Sequence, residues 1–263
     1  MYEVVFDIET VPDVDLGRRM LGLGPEADAE TVARRLAEAA APHGRGFLKP
    51  VFHRVVAVAA AVLDDSGQLR RLAALGVPGD PEAVLVAEFF RVVREARPRL
   101  IGWNSGGFDL PVLVYRALRH RVAAPEFYAA AYRRRFDESM HLDLMDSLSG
   151  FGASPRVALD EMAALLGVPG KLDMDGRDVW SHWLDGDVAG IRAYCELDVL
   201  TTTLIYARYA FHRGWYDAER AARCEASVRA FLAGREEPHW VRFRQRWEAL
   251  EAPEDAASGR EPA

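Results

Sequence analysis

Asp7 and Glu9 stand two residues apart in the run Tyr2–Thr10 (YEVVFDIET), so on a strand both carboxylates leave the same face. They follow Val4, Val5 and Phe6, a run that otherwise continues into a core. A buried carboxylate without compensation is costly, and a pair of them requires a cation. The alternative is a strand that has reached solvent, with Glu9 opening a loop. Asp198 raises the same question on a helix, among Leu197, Val199 and Leu200. Tyr194 lies one turn earlier on the same side, about 6 Å away. Here the alternative is an arginine partner across the fold, while Glu196 projects to another side and is expected in solvent. Asp109 precedes Pro111 and an apolar helix (LPVLVYRAL), where an N-cap aspartate is ordinary. The loop before it, Asn104-Ser105-Gly106-Gly107-Phe108, adds a second meaning. Its two glycines admit a closely approaching backbone or ligand, and a neighbouring Phe or Trp offers a stacking surface. A tight strand-to-helix turn needs the glycines as well.

Together these four carboxylates, from a strand, a loop–helix junction and a late helix, form an oxygen-rich set suited to Mg²⁺ or Mn²⁺. No Cys/His cluster points to zinc, no Gly-x-Ser-x-Gly to a serine hydrolase, and no Gly-x-x-x-x-Gly-Lys-[Ser/Thr] to an NTPase.

The elements that must position them follow from periodicity and breakers. Tyr2–Thr10 reads as a strand, and residues 13–50 as a helical insertion outside the core. Val55–Leu63 and Leu69–Val77 read as strands joined by the turn Asp64-Asp65-Ser66-Gly67. Pro81 opens a helix to about Arg97. Leu100–Trp103 is a short strand, Asp109–His120 a helix, 121–140 an Arg- and Tyr-rich stretch, and His141–Leu144 a short strand. Leu159–Leu166 is a helix stopped by Gly167, Val188–His212 a long apolar helix, and two more helices occupy 214–251. The pattern predicts an α/β fold, one mixed sheet flanked by helices, as a single domain over 1–251 with a disordered tail at 252–263.

Composition bounds the rest. The chain has 263 residues, half of them apolar and 28% charged, enough for a substantial core. Its longest apolar run, Val55–Leu63, is less than half of the ~20 residues that span a bilayer. The N-terminal stretch carries Glu3 and Asp7 and no basic flank, which reads against a signal peptide. Two cysteines make no disulfide framework, so a cytoplasmic setting is expected. A net charge of −7 argues against coating nucleic acid without specificity, though not against admitting one strand to a local site.

At these residues the sequence resembles the DEDD superfamily of 3′-5′ exonucleases. Asp7-Ile8-Glu9-Thr10 resembles its DxE motif, Asn104-Ser-Gly-Gly-Phe108-Asp109 the N-x-x-x-F-D form of its second, and Tyr194-Cys-Glu-Leu-Asp198 the YxxxD form of its third. The histidine form needs His five residues before the aspartate, where Ala193 stands, so the tyrosine subclass is the match. Gly107-Phe-Asp-Leu-Pro-Val-Leu, His141-Leu-Asp-Leu-Met-Asp146 and Leu159-Asp-Glu-Met-Ala-Ala-Leu-Leu-Gly167 bring it closer to bacterial exonucleases related to the proofreading domain of family-B DNA polymerases. The resemblance runs roughly from residue 1 to His212.

The resemblance implies a ribonuclease H-like fold and a two-metal mechanism with two divalent cations, Mg²⁺ or Mn²⁺. It implies that Asp7 bridges both metals and that Glu9 and Asp198 complete the site holding the nucleophilic water. Asp109 then helps hold the second metal, directly or through water, and Tyr194 orients the attacking water. Asn104, Gly107 and Phe108 are candidates for holding the terminal nucleotide. Arg133-Arg134-Arg135, flanked by Tyr132 and Phe136, reads either as a strand-binding patch or as a solvated loop. Asp143 and Asp146 add acidity that a strand end and a helix cap explain equally. Trp180 and Trp183 read as packing, and Trp103 as core or stacking surface. The expectation is a 3′-5′ exonuclease acting on single-stranded 3′ ends, DNA before RNA, with any replication or repair partners as separate proteins and no membrane. The rival readings are an exoribonuclease or oligonucleotide nuclease, and, from another class, a catalytically silent nucleic-acid-binding module.

Overall fold

The computed structural model describes residues 2–40, 48–172 and 174–252. The expected tail, apart from residue 252, and residues 41–47 of the insertion lie outside these. β1 (Glu3–Pro12) extends two residues beyond the expected strand. It pairs antiparallel with β2 (His53–Leu63), which pairs antiparallel with β3 (Leu69–Ala74). The tip of that hairpin is held by Asp64, whose carboxylate accepts the backbone N–H groups of Ser66 and Gln68. β3 stops at Ala74, short of the expected Val77, because Gly76 turns the chain in the left-handed region (φ 62°) and Asp80 takes the Val77 N–H. On the other side of β1, β4 (Arg99–Gly102) and β5 (His141–Asp143) run parallel to it, giving the order β3-β2-β1-β4-β5.

α1 (Val14–Leu21) and α2 (Ala29–Ala40) form the insertion, which has its own small cluster around Val32, Leu36 and Leu48. One face of the sheet, carrying Val4, Phe6 and Ile8, is covered by α3 (Glu82–Ala96), α4 (Asp109–His120) and α5 (Pro125–Ala129). The short α6 (Leu144–Leu148) follows β5 directly. The opposite face, carrying Val5 and Val11, is covered by α7 (Leu159–Leu166), α8 (Val179–Leu184), α9 (Val188–His212), α10 (Ala218–Ala233) and α11 (Pro238–Glu251).

By strand alternation Asp7 and Glu9 share the face of Val5, the α9 face. Opposite them on β2 stand Ala59 and Ala57. These small side chains are fully buried and let α9 lie close to the sheet. From Ile191 to Ala210 most of α9 is buried, because α7, α8, α10 and α11 pack around it. This explains why its apolar residues cover every side instead of one stripe. Among the described residues no helix is long and apolar enough to cross a membrane.

Candidate active site

The four carboxylates expected from the sequence converge between β1, the start of α4 and the middle of α9. Glu9 and Asp109 are buried, 7% and 3% exposed, while Asp7 and Asp198 keep a partial opening to solvent. Asp7 and Glu9 bring carboxylate oxygens to within 4.8 Å of each other and of the Cys195 sulfur. Asp109 and Asp198 close the group electrostatically: their charges act on both Asp7 and Glu9. Asp109 is not the cap of α4; Phe108 takes that position without a side-chain capping bond, and Asp109 is the first helical residue.

Among the described residues none of the four carboxylates is in an ion pair, so the expected alternative for Asp198, an arginine across the fold, is absent. The consequence is visible in every one of them. Burial, then the charges of Asp109 and Asp198, holds Asp7 well above the usual carboxylate range. Burial, then Asp7, Asp198 and Asp109, does the same to Glu9. Burial, with Asp143 adding to it, pushes Asp109 up to about 8, and burial pushes Asp198 up to about 7 against the opposing Tyr194 hydroxyl and Lys171 charge. A site of clustered carboxylates without an ion-pair partner is matched to an added cation.

The donor set also selects the kind of cation. The Cys195 thiol is fully buried, and burial beside three carboxylates raises its pKa well above that of a free thiol. It therefore stays protonated and donates to the Asp7 carbonyl (3.4 Å) and to Asp7 Oδ2 (3.7 Å). What remains for a metal is hard carboxylate oxygen, which fits Mg²⁺ or Mn²⁺ better than a thiolate-seeking ion. Neither the thiol's contact with Asp7 nor its burial was legible beyond the apolar surroundings of Cys195.

Tyr194 is 7% exposed and reaches Asp198 across one turn of α9. Burial and then the charges of Asp198, Glu9 and Asp7 raise its hydroxyl far above the ordinary tyrosine value. Glu196, expected in solvent, is instead tied down on the far side of the helix. It accepts the Ala74 N–H at 2.8 Å and faces His239 Nε2 of α11 at 3.1 Å. The turn that carries Tyr194 and Asp198 is thus anchored to β3 and to the C-terminal helix.

The Asn104–Phe108 loop borders Asp109. Asn104 sits in the left-handed region (φ 59°), and its carbonyl accepts the Gly107 and Phe108 N–H groups. Gly106 and Gly107 are exposed, leaving bare backbone beside the site. Phe108 stands edge-on to His53, ring centroids 4.8 Å apart. Trp103 packs against the core on the α9 face, and so does Trp183, with the Arg54 guanidinium over its ring.

The arginine run divides. Arg133 is exposed and Arg134 lies 3.8 Å from Asp137 at the surface, whereas Arg135 spans to both oxygens of Asp146 (2.6 and 2.9 Å) and to the Phe151 carbonyl. Arg156 joins the same carboxylate, so Asp146 serves as an anchor for the 135–156 segment. Tyr132 is no stacking surface: it is buried, stacked on Phe127, and donates to the Pro98 carbonyl. Replacing Arg133 and Arg134 together by alanine should flatten the salt dependence of strand binding by about 0.7 per lost phosphate contact in a log–log plot. Arg135→Ala should instead lower the melting temperature, and the two effects are separated by titrations at several salt concentrations and a thermal melt.

Comparison with known proteins adds a family. A family of exonucleases matches residues 45–247. Its members are described as predicted 3′-5′ exonucleases related to the exonuclease domain of PolB. The matched segment holds Asn104–Asp109 and Tyr194–Asp198, and the fold adds Asp7 and Glu9 from the preceding strand. Among solved structures, the chain is similar to the family B DNA polymerase of the hyperthermophilic archaeon Pyrobaculum calidifontis, with a TM-score of 0.53 and 21% identity. That likeness covers 80% of this chain but 24% of the polymerase, and it shows the fold, an α/β sheet of the ribonuclease H-like kind. Among curated proteins no relative of this chain was found. Because the family match spans more than half of its length, the chain belongs to the predicted 3′-5′ exonucleases related to the exonuclease domain of PolB.

Proposed function

We propose that this protein is a metal-dependent 3′-5′ exonuclease that removes nucleotides from single-stranded DNA ends. The observation that carries the reading is the convergence of four carboxylates without ion-pair partners, three of which, Asp7, Glu9 and Asp198, act on one buried tyrosine hydroxyl. Asp7, Glu9, Asp109 and Asp198 are the residues to hold the cations. Divalent cations held there would make hydroxide available at neutral pH and stabilise the leaving 3′ oxygen. A binding surface for a polyanion has no use for the same negative cluster.

The chain's own groups do the positioning. Tyr194 keeps its proton at neutral pH, since every neighbouring charge opposes the phenolate, so it orients the attacking water and does not act as its base. Asp198 accepts from that hydroxyl and fixes its direction. Asn104, Gly107 and Phe108 hold the terminal nucleotide, with the exposed glycine backbone admitting it closely. Among the described residues none is set aside for a 2′-hydroxyl, so an exoribonuclease or oligonucleotide nuclease stands as the alternative within the same class.

Tyr194→Phe removes one hydroxyl and leaves every carboxylate in place. We expect a rate loss of about 10²-fold with nearly unchanged Mn²⁺ dependence; full activity would make the tyrosine a packing residue. The function itself is tested with 5′-labelled single-stranded DNA, duplex DNA and RNA, each in Mg²⁺, Mn²⁺ or chelator. A descending ladder from the 3′ end of single-stranded DNA, absent in chelator, is the expected product. Binding without shortening in either metal would leave a nucleic-acid-binding module.

A further inference from the structure

We propose that Asp143 positions the nucleotide-holding loop, acting on the substrate through the backbone of Asn104–Phe108 and not as a metal ligand. The proposal rests on the nuclease reading above. Asp143 ends β5 directly opposite Gly102, the last residue of β4, so it faces the point where the loop leaves the sheet. Its Oδ1 accepts the Asn104 N–H at 3.0 Å and the Asp146 N–H at 3.2 Å, and its Oδ2 accepts the Gly106 N–H at 2.9 Å. Both carboxylate oxygens are thus committed to backbone donors, which leaves little capacity for a cation. One of the clamped residues, Asn104, has φ 59°, a conformation that L side chains adopt rarely and that needs support from its surroundings.

The second inward-facing residue of the same strand completes the support. His141 is 7% exposed, and its Nε2 lies 2.9 Å from the hydroxyl of fully buried Ser105. The loop fits this support without slack. A Cβ at Gly106 would stand 3.2 Å from Asp143 Oδ2 and 3.4 Å from His141 Cε1, and one at Gly102 only 2.6 Å from Ser105. β5 therefore presets the loop before any nucleic acid arrives, which spares the substrate the cost of ordering it.

The test uses the full chain, with Asp143→Ala and Asp143→Ser. Serine is a good N-cap and retains an acceptor for the first turn of α6, but is too short to hold Asn104 and Gly106 as well. A fluorescent single strand is titrated in chelator, and shortening of the same strand is followed in Mn²⁺. Expected is an affinity about tenfold weaker in both variants, the size of one charge-assisted hydrogen bond, with KM rising in step. The number of Mn²⁺ ions bound per chain should stay unchanged and kcat should fall by no more than a few-fold, because Asp143 acts on the metal carboxylates only through its charge on Asp109. Asp143→Ser should also recover thermal stability relative to Asp143→Ala without recovering affinity. Unchanged strand affinity in a folded Asp143→Ser variant would overturn the proposal. So would the loss of one bound Mn²⁺ per chain, counted by titration, which would make Asp143 a metal ligand. Failure of the nuclease reading looks different: wild type binds the strand but never shortens it, and the affinity comparison still decides the role of Asp143.

Discussion

Asp7→Ala should abolish strand shortening, with a loss of about 10⁴-fold or more in kcat and little change in strand affinity measured in chelator. Asp7 lies at the centre of the group: its charge acts on Glu9, and those of Asp109 and Asp198 act on it. Removing it takes away the carboxylate both cations would share, and a cation clamp on a phosphoryl centre is worth several kcal/mol, each ~1.4 kcal/mol being tenfold. The substitution keeps β1 in place, since its pairing with β2 and β4 is made by the backbone. Single-turnover assays in Mn²⁺ measure the loss. Retention of even a tenth of the wild-type rate would place the catalytic cations away from Asp7.

Asp198→Asn should trade function for stability. In chelator the wild-type chain folds with four carboxylates crowded together, each opposed in ionising by burial, and asparagine removes one of them with almost no change in volume. Burial already pushes Asp198 up to about 7 and Asp109 up to about 8, both above their values in the unfolded chain. The folded state therefore binds more protons than the unfolded one. Stability in chelator is fully present below pH ~4 and falls as the pH rises through 7 and 8. At pH 8 the variant should melt higher than wild type by about 2–8 °C, corresponding to relief of about 1–2 kcal/mol of repulsion and desolvation. Its decline with pH should also be shallower. Added Mn²⁺ should reverse the order, raising wild type more because the ion binds the native state more tightly there. Thermal melts of both proteins at pH 5 and 8, with and without Mn²⁺, give all four comparisons. A variant less stable in chelator, with an undiminished Mn²⁺ shift, would remove Asp198 from the metal site.

Much of this site was legible because its residues sit on elements with strong local signals. α9 spans Val188–His212 as its apolar run suggests, opened by Asp187, whose side chain caps Gly190 N–H. α7 ends where Gly167 adopts φ 64°, the left-handed cap that glycine accepts without strain. Strand alternation alone placed Asp7 and Glu9 on one face. The misreadings share one cause, partners distant in sequence. Helical periodicity shows that Glu196 points away from Asp198, but not that β3 and His239, 43 residues onward, wait for it there. Asp143 does cap α6, as a local reading allows, yet its larger task comes from a loop 37–39 residues earlier. The charge run at 133–135 looks uniform in sequence and is divided by the positions of Asp137 and Asp146. Likewise Tyr132 turns inward because Phe127 and the Pro98 carbonyl offer it both a stacking partner and an acceptor.

Asp7, Glu9, Asp109 and Asp198 together are proposed to hold the catalytic cations. Anomalous scattering from crystals of the protein grown with Mn²⁺ and a non-hydrolysable single strand tests this most directly. Two peaks about 3.5–4 Å apart, bounded by these four carboxylates with Asp7 between them, are predicted. No peak at the four carboxylates, or Mn²⁺ held only elsewhere on the chain, would contradict it.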